Sequence, residues 1–193
     1  MNVINQIKAV KSLRDGHPLV FQTDTLPAIG CKPEYSDIIY SIKKRSKDKA
    51  LILMGSEISQ VLCYVHIIAK NDFKGIAEKY WPGPLTLVVP ISDKYRHLKF
   101  LNDKKTIGIR IPNSPRAKSL ISKTGPLATS SANISGITTS FTADQVSNDL
   151  PNVEILGPVP WEECSCMAST IISWEQNNKW VVIRKGQIKI PNI

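Results

Sequence analysis

Short runs of hydrophobic residues recur along the chain, and most of them carry hydrophobic side chains at neighbouring positions rather than at alternate ones. A strand that is apolar on both sides is typical of a sheet covered by helices. The pattern therefore predicts eight strands, over residues 19–22, 51–54, 85–90, 106–111, 127–129, 153–156, 169–173 and 180–184.

Segments with helical spacing lie between these runs. Three isoleucines within 36–44 fall on one side of a helix, and Pro115 suits the first turn of a later one. Thr142 and Gln145 have the spacing of a capping box, which opens a helix. Helices are predicted over residues 36–44, 57–70, 72–81, 116–123 and 142–150.

The interleaving of helices and strands predicts an α/β fold. The strands near the C-terminal end follow one another directly, so a mixed sheet is favoured over a purely parallel one. No repeat, low-complexity tract or linker divides the sequence, and we expect a single domain over residues 1–193.

The charge balance adds a prediction about the ligand. Lys and Arg number 25 against 16 Asp and Glu, which gives a formal net charge of +9. Such a balance favours an anionic partner: a nucleotide, a nucleic acid or a membrane surface. The hydrophobic share of 42% and the charged share of 21% are ordinary for globular proteins and argue against a disordered chain.

No segment of the sequence is suited to crossing a membrane. The longest uncharged stretch, 124–143, is rich in Ser, Thr, Asn and Gly, and the N-terminal segment lacks the apolar centre of a signal peptide. We expect a cytoplasmic protein without a membrane partner, whose four cysteines are reduced. Cys164 and Cys166 do not have the spacing of a zinc knuckle.

Several motifs that define large enzyme classes are missing. The chain has no phosphate-binding P-loop, no dinucleotide-binding G-x-G-x-x-G, no H-E-x-x-H and no G-x-S-x-G. Its three histidines are scattered, at 17, 66 and 97. We therefore expect neither a histidine-based nucleophile nor a histidine-rich metal site, and the sequence assigns no metal ligand.

Two segments carry charged or polar side chains that could bind a ligand. Five of the seven residues in 43–49 are cationic, and they follow a predicted helix. They could converge on one anion, or they could form a solvated helix end. The segment 23–30 follows a predicted strand, where α/β proteins place ligands, but it could equally be an ordinary turn.

Two further segments are better suited to binding. Thr106, Gly108 and Arg110 share one face of a predicted strand, and the glycine permits close approach of an anionic substrate. Nine of the 20 residues in 124–143 are Ser or Thr, directly after an apolar strand end. Such a segment can direct hydroxyls and backbone N–H groups at phosphate oxygens. The rigid turn at 81–86, by contrast, is interpreted as architecture.

Taken together, these segments resemble the YrdC-like family, in particular the threonylcarbamoyl-AMP synthases. The resemblance covers roughly residues 18–188 and follows the order of the family's motifs. The matching pieces are T-D-T-x-x-x-x-G at 23–30, K-x-R at 43–45, W-P-G-P-L-T at 81–86, T-x-G-x-R-x-P at 106–112, S-A-N-x-S-G at 131–136, S-T-I at 169–171 and I-R-x-G-x-I at 183–188.

The resemblance implies a twisted α/β sheet with a basic concave groove. It also implies a reaction in which L-threonine, bicarbonate and ATP give threonylcarbamoyl-AMP and pyrophosphate, with Mg²⁺ on the ATP phosphates. A separate complex would then transfer the threonylcarbamoyl group to N6 of adenosine 37 in tRNA. The net charge leaves a second interpretation open, a module that binds tRNA or double-stranded RNA without adenylating anything.

The motifs also imply roles for particular residues. Lys43, Arg45 and Arg110 are the predicted catalytic residues, and Lys43 would bind phosphate or bicarbonate. Met54 stands where some members have histidine, which predicts a more apolar threonine pocket. The predicted threonine-binding residues are Thr23, Thr25, Arg110, Thr129 and Ser169. The predicted ATP-binding residues are Arg45, Lys49, Thr106, Ser131, Asn133, Thr139 and Arg184.

Overall fold

The computed structural model describes residues 1–162, 164–177 and 179–191, and in these the chain forms a mixed sheet with helices on both faces. The strands are β1 (Val3–Ile4), β2 (Leu19–Phe21), β3 (Ala28–Cys31), β4 (Ile52–Met54), β5 (Leu85–Pro90), β6 (Thr106–Arg110), β7 (Leu127–Ser131), β8 (Glu154–Leu156), β9 (Thr170–Gln176) and β10 (Lys179–Arg184). The α-helices are α1 (Gln6–Arg14), α2 (Asp37–Ile42), α3 (Ile58–Val61), α4 (Lys70–Tyr80), α5 (Pro115–Thr124) and α6 (Ala143–Asp149).

The ten strands form one sheet in the order β1-β8-β2-β3-β7-β4-β6-β5-β9-β10. The neighbouring pairs β1–β8, β2–β8, β4–β6 and β5–β9 are parallel, and the other neighbours are antiparallel. The predicted mixed α/β sheet is therefore confirmed, and each of the eight predicted strands corresponds to a strand of this sheet.

Two hydrophobic cores lie on opposite faces of the sheet. The larger core packs side chains of α2, α4 and α6 against one face, and it contains Leu53 of β4 and Ile109 of β6. The smaller core packs α1 and α5 against the other face and contains Ala28 and Met54. These two residues also line a cavity, which therefore lies beside the smaller core on the same face.

Strand alternation selects which side chains face this cavity. In β6, Ile107 and Ile109 enter the larger core, whereas Arg110 lines the cavity, as the predicted two-residue period requires. Gly108 pairs with Ile52 of β4, and a Cβ atom at Gly108 would lie only 3.0 Å from the Cγ2 atom of Ile52. A side chain at this position would therefore require Ile52 to shift by a few tenths of an ångström.

Two predictions about the elements are wrong, and the elements of one segment were not predicted. The segment 23–30 was expected to be a loop, but residues 28–31 form β3, which pairs with β2 and β7. The predicted helix over 57–70 is instead α3 and two short 3-10 helices, because Val65 takes an extended backbone and pairs with Ile91. The N-terminal segment, for which no element was predicted, forms β1 and α1, and the Asn5 side chain accepts a hydrogen bond from the backbone N–H of Lys8.

Within the described residues, no helix combines the length and the apolar composition that a membrane crossing requires.

Candidate active site

A cavity of about 220 Å³ opens on the face of the sheet that carries Arg110. Its lining combines arginine side chains, hydroxyl groups and small hydrophobic side chains. Eight residues that the sequence predicted for the site line this one cavity: Thr23, Thr25, Arg45, Arg110, Thr129, Ser131, Ser169 and Arg184. Segments that are far apart in the sequence are therefore brought together here.

Arg110 is held rigidly at the end of β6. Its Nε atom donates to the carbonyl oxygen of Gly83 at 3.1 Å, and its Nη1 atom donates to the Thr25 hydroxyl at 2.6 Å. Its Nη2 atom lies 2.5 Å from Oδ1 of Asp24 in an ion pair. Burial lowers the pKa of Arg110, and the charge of Asp24 opposes this effect. The turn at 81–86 thus supports the site through the carbonyl of Gly83.

The segment before β3 supplies hydroxyl groups in a fixed arrangement. The Thr23 hydroxyl donates to the carbonyl oxygen of Leu26 at 2.7 Å and accepts from the backbone N–H of Thr25 at 3.1 Å. Both threonines are buried. The Oδ2 atom of Asp24 is also buried and has no hydrogen-bond partner within the described part of the chain.

Arg45 shapes the basic run into a loop at the cavity edge. Its Nε atom donates to the carbonyl oxygen of Lys49 at 2.9 Å, and its Nη2 atom donates to that of Ala50 at 3.2 Å. On the outer side of the loop, Lys104 donates a hydrogen bond to the carbonyl oxygen of Asp48, and Asn102 donates one to that of Lys47. Burial lowers the pKa of the Arg45 guanidinium, which is half-buried.

Arg184 reaches the cavity because β10 contains a register shift. Val182 pairs with Ile172, which lies in the larger core, but Arg184 pairs with Ile171, which lines the cavity. Ile183 is the extra residue between them, so the structure has a β-bulge that moves Arg184 to the cavity face. A regular two-residue period would instead place Arg184 on the same face as Val182.

Arg184, Ser169 and Thr86 form a continuous polar chain in the cavity wall. Arg184 donates to the carbonyl oxygen of Ser169 at 2.9 Å and to its hydroxyl at 3.2 Å. The hydroxyls of Ser169 and Thr86 lie 2.9 Å apart, and both side chains are buried. Burial lowers the pKa of Arg184, and the positive charge of Arg184 contributes to the lowered pKa of Arg110.

Lys43 lies behind the cavity and holds the turn that follows β7. Its ammonium group donates to the carbonyl oxygens of Ser131 and Asn133. Its side chain is almost fully buried, and burial, with a smaller effect from the charge of Arg45, lowers its pKa to about 8. The Ser131 hydroxyl donates to Oδ1 of Asn133 at 2.6 Å, and the Asn133 amide donates to the carbonyl oxygen of Ile137 at 2.8 Å.

Five predicted site residues do not line the cavity. Lys43 and Asn133 are buried in the turn beneath it, Lys49 and Thr106 are exposed, and Thr139 is partly exposed. The positions of Lys43 and Asn133 explain the shape of the turn, and binding roles for all five stay predictions.

Sequence reasoning missed some cavity residues. Thr86 was interpreted as part of the rigid turn at 81–86. It lies on β5, where its side chain lines the cavity and that of Leu87 enters the larger core on the other face. Ile52 was also missed; by the two-residue period it shares a strand face with Met54, which the family resemblance had already placed at the threonine pocket. Together with Ile171 they make part of the cavity wall apolar.

The described residues contain no group of three or more His, Cys, Asp or Glu side chains that could hold a metal ion. Asp24 is an acidic residue beside the cavity, and Arg110 already pairs with it.

The fold and the cavity define an α/β protein with a cavity, suited to a small anionic ligand, on one face of a mixed sheet. This chain belongs to the Sua5/YciO/YrdC family, whose model, described as "Telomere recombination", matches residues 11–186.

Named relatives agree with this assignment. The chain is 30% identical over 154 residues to a threonylcarbamoyl-AMP synthase of Vibrio vulnificus, covering 77% of this chain and 82% of that protein. It is 38% identical over 134 residues to a threonylcarbamoyl-AMP synthase of Coxiella burnetii, covering 66% and 70%. Sua5 of P. abyssi, solved in complex with L-threonine, superposes with a TM-score of 0.85 at 26% identity. That alignment covers 96% of this chain but only 58% of the Sua5 chain.

Proposed function

We propose that this protein is a threonylcarbamoyl-AMP synthase, an enzyme that converts L-threonine, bicarbonate and ATP into threonylcarbamoyl-AMP and pyrophosphate. The observation that carries the proposal is the convergence of Arg45, Arg110 and Arg184 with buried hydroxyls on one cavity, in a chain whose relatives bear that name. Three guanidinium groups around one cavity repel one another, and a bound anion relieves this repulsion.

The Arg110 side of the cavity is the proposed site for L-threonine. A guanidinium has five N–H donors, and Arg110 gives three of them to Gly83, Thr25 and Asp24. The remaining donors suit a carboxylate, which an arginine binds in a bidentate manner. The paired hydroxyls of Thr86 and Ser169 suit the threonine hydroxyl, and the L-threonine complex of Sua5 supports an amino-acid site in this fold.

The Arg45 and Arg184 side is the proposed site for the ATP phosphates. The enclosed volume of about 220 Å³ is below the range of about 300–1,000 Å³ that holds a drug-sized ligand. It suits an amino acid beside the reacting phosphate, while the rest of the nucleotide extends along the outer edge. We propose MgATP as the substrate, with the magnesium ion held by the phosphate oxygens.

The proposed chemistry needs no strong general base from the protein. The threonine amine and bicarbonate condense to an N-carboxy carbamate and release water. A carboxylate oxygen of the carbamate then attacks the α-phosphorus, and the bond from the α-phosphorus to the bridging oxygen breaks to release pyrophosphate. The arginines stabilise the charge that develops on the phosphate, and the cavity holds the reactants in line.

The product is a mixed anhydride, and we propose that a separate complex consumes it to modify adenosine 37 of tRNA. This enzyme would therefore act in the cytoplasm, where ATP, bicarbonate and tRNA are present. The names of the relatives favour this interpretation over an RNA-binding module without adenylation activity.

Pyrophosphate release with each substrate omitted in turn tests the proposal. We expect release to require L-threonine, bicarbonate and ATP together. Arg45→Ala and Arg110→Ala should each lower the rate by about 10²-fold or more, by analogy with other preorganised electrostatic donors. Activity within twofold of the wild type would remove that arginine from the mechanism. RNA binding that weakens steeply with salt, without substrate-dependent pyrophosphate release, would support the RNA-binding module instead.

A further inference from the structure

Two cysteine thiols lie in contact on the loop that leads to β9. The Sγ atoms of Cys164 and Cys166 are 3.7 Å apart, and a disulfide bond would bring them to about 2.05 Å. A single residue, Ser165, separates the two cysteines. Cys166 has a left-handed backbone with φ of 54°.

The pair is accessible from solvent. Cys166 is exposed and Cys164 is partly exposed. Both border a groove of about 580 Å³ whose walls include Phe141 and Trp161, which is large enough for a small-molecule oxidant to approach. Cys31 differs, because its side chain is buried and burial raises its pKa to about 12. The thiolate is the reactive form, so Cys31 is unreactive at neutral pH.

Hydrogen bonds anchor the loop that carries the two thiols. The Ser165 hydroxyl donates to Oε1 of Gln187 at 2.9 Å. The backbone N–H of Gln187 in turn donates to the carbonyl oxygen of Ala168 at 3.0 Å. Residues 164–166 belong to no helix or strand, so their backbone can adjust when the sulfur atoms approach.

We propose that Cys164 and Cys166 form a redox-modification site, which closes to an intramolecular disulfide by exchange with a small-molecule disulfide such as oxidised glutathione. One cysteine thiolate attacks a sulfur of the oxidant, breaks its S–S bond and releases one glutathione thiolate, which takes up a proton. The second cysteine thiolate then attacks the protein sulfur of the mixed disulfide and releases the second glutathione. The two cysteines lose two electrons and two protons, and the oxidant gains them.

The site lies three residues before Ser169, on the segment that brings Ala168 to the cavity wall. Nothing in the proposal depends on the identity of the substrates. Its test is therefore separate from the test of the proposed function.

Tryptic mass mapping of the native full-length protein provides the experiment. Trypsin cleaves after Lys123 and after Lys179. The resulting peptide, 124–179, contains these two cysteines and no others. After incubation with oxidised glutathione, we expect most of this peptide to have lost two hydrogen atoms, and dithiothreitol should restore the original mass. A peptide that carries glutathione on either cysteine without an internal link, or that stays reduced, would overturn the proposal.

Variants and denaturation define the controls. Cys164→Ser and Cys166→Ser should each retain a bound glutathione, because the second thiol is then missing. Cys63→Ser, which removes an exposed cysteine on another segment, should leave closure unchanged. Closure should be slower in concentrated urea, because unfolding separates the sulfur atoms. Equal rates in native and denatured protein would show that the fold does not prepare this site.

Discussion

The guanidinium of Arg110 and the carboxylate of Asp24 lie 2.5 Å apart, and their side chains are only 5% and 14% exposed. The pair comes from the end of β6 and the segment before β3, so it joins two parts of the chain at the cavity. Because one carboxylate oxygen and three guanidinium donors are committed to protein contacts, the geometry of Arg110 depends on residues that are distant in the sequence.

Asp24→Ala should therefore be strongly destabilising. Removal of one partner from a buried ion pair leaves an uncompensated charge and costs about 3–5 kcal/mol. The free energy of unfolding in urea measures this cost. Asp93→Ala is the matched control, because its pair with Arg96 at 2.6 Å is exposed and contributes about 0–1 kcal/mol. Equal losses in the two variants would contradict the structural role of Asp24.

Arg184→Ala should lower the rate of pyrophosphate release by about 10²-fold or more, because it removes one of the cavity's guanidinium groups. It also removes the bonds to Ser169, so unfolding must be measured in parallel. The exposed Arg14, on α1, supplies a control with the same change of charge. If Arg14→Ala slowed the reaction as much as Arg184→Ala, net charge rather than cavity geometry would explain the effect.

Thr86→Val should change the recognition of L-threonine more than the stability of the fold. The variant keeps the shape of the side chain but removes the hydroxyl that pairs with Ser169. The binding free energy of L-threonine should weaken by about 1–3 kcal/mol, because its hydroxyl then lacks a partner. We expect a raised KM for threonine and weaker discrimination against valine, and Thr86→Ser should restore both. An unchanged ratio of kcat/KM for threonine over valine would exclude Thr86 from this role.

Lys43 should make stability depend on pH in the alkaline range. Its pKa falls from 10.5 to about 8 in the folded protein, so between these values the unfolded chain binds a proton that the folded chain has released. The free energy of unfolding should then rise with pH from about 8 to 10.5, by on the order of 3 kcal/mol. Urea unfolding across this range, compared between the wild type and Lys43→Met, isolates the contribution.

The exposed Lys74 provides the control for that experiment. Lys74→Met should leave the pH profile of the wild type unchanged, whereas Lys43→Met should flatten it. Parallel profiles for the wild type and Lys43→Met would mean that the ammonium of Lys43 titrates as it does in water.

The sequence was sufficient where a local rule fixes the structure. The alternation in β6 separates Ile109 from Arg110, and the capping box of α6 forms between Thr142 and Gln145 as predicted. The motif order also predicted which distant segments converge, because Arg45 and Ser131 line one cavity with Arg110.

Long-range pairing decided what the sequence could not. The Asp, Thr and Pro residues just before β3 favour a turn. Residues 28–31 form a strand only because they pair with β2 and β7. The burial of Lys43 depends on the carbonyl oxygens of Ser131 and Asn133, which are about ninety residues away in the sequence. No local pattern identifies an ammonium that binds carbonyl oxygens rather than a ligand.

Whether Arg184 faces the cavity is determined by the number of residues that precede it in β10, because one additional residue, Ile183, reverses the side on which the Arg184 side chain emerges. Replacing Ile183 with another residue preserves the number of residues before Arg184, whereas deleting one residue from this part of β10 would direct the Arg184 guanidinium into the larger core on the other face of the sheet. This edge of the protein should therefore accept changes of residue type more readily than changes of length, and a comparison of natural variants at this strand should show constant spacing to the arginine even where the side chains differ.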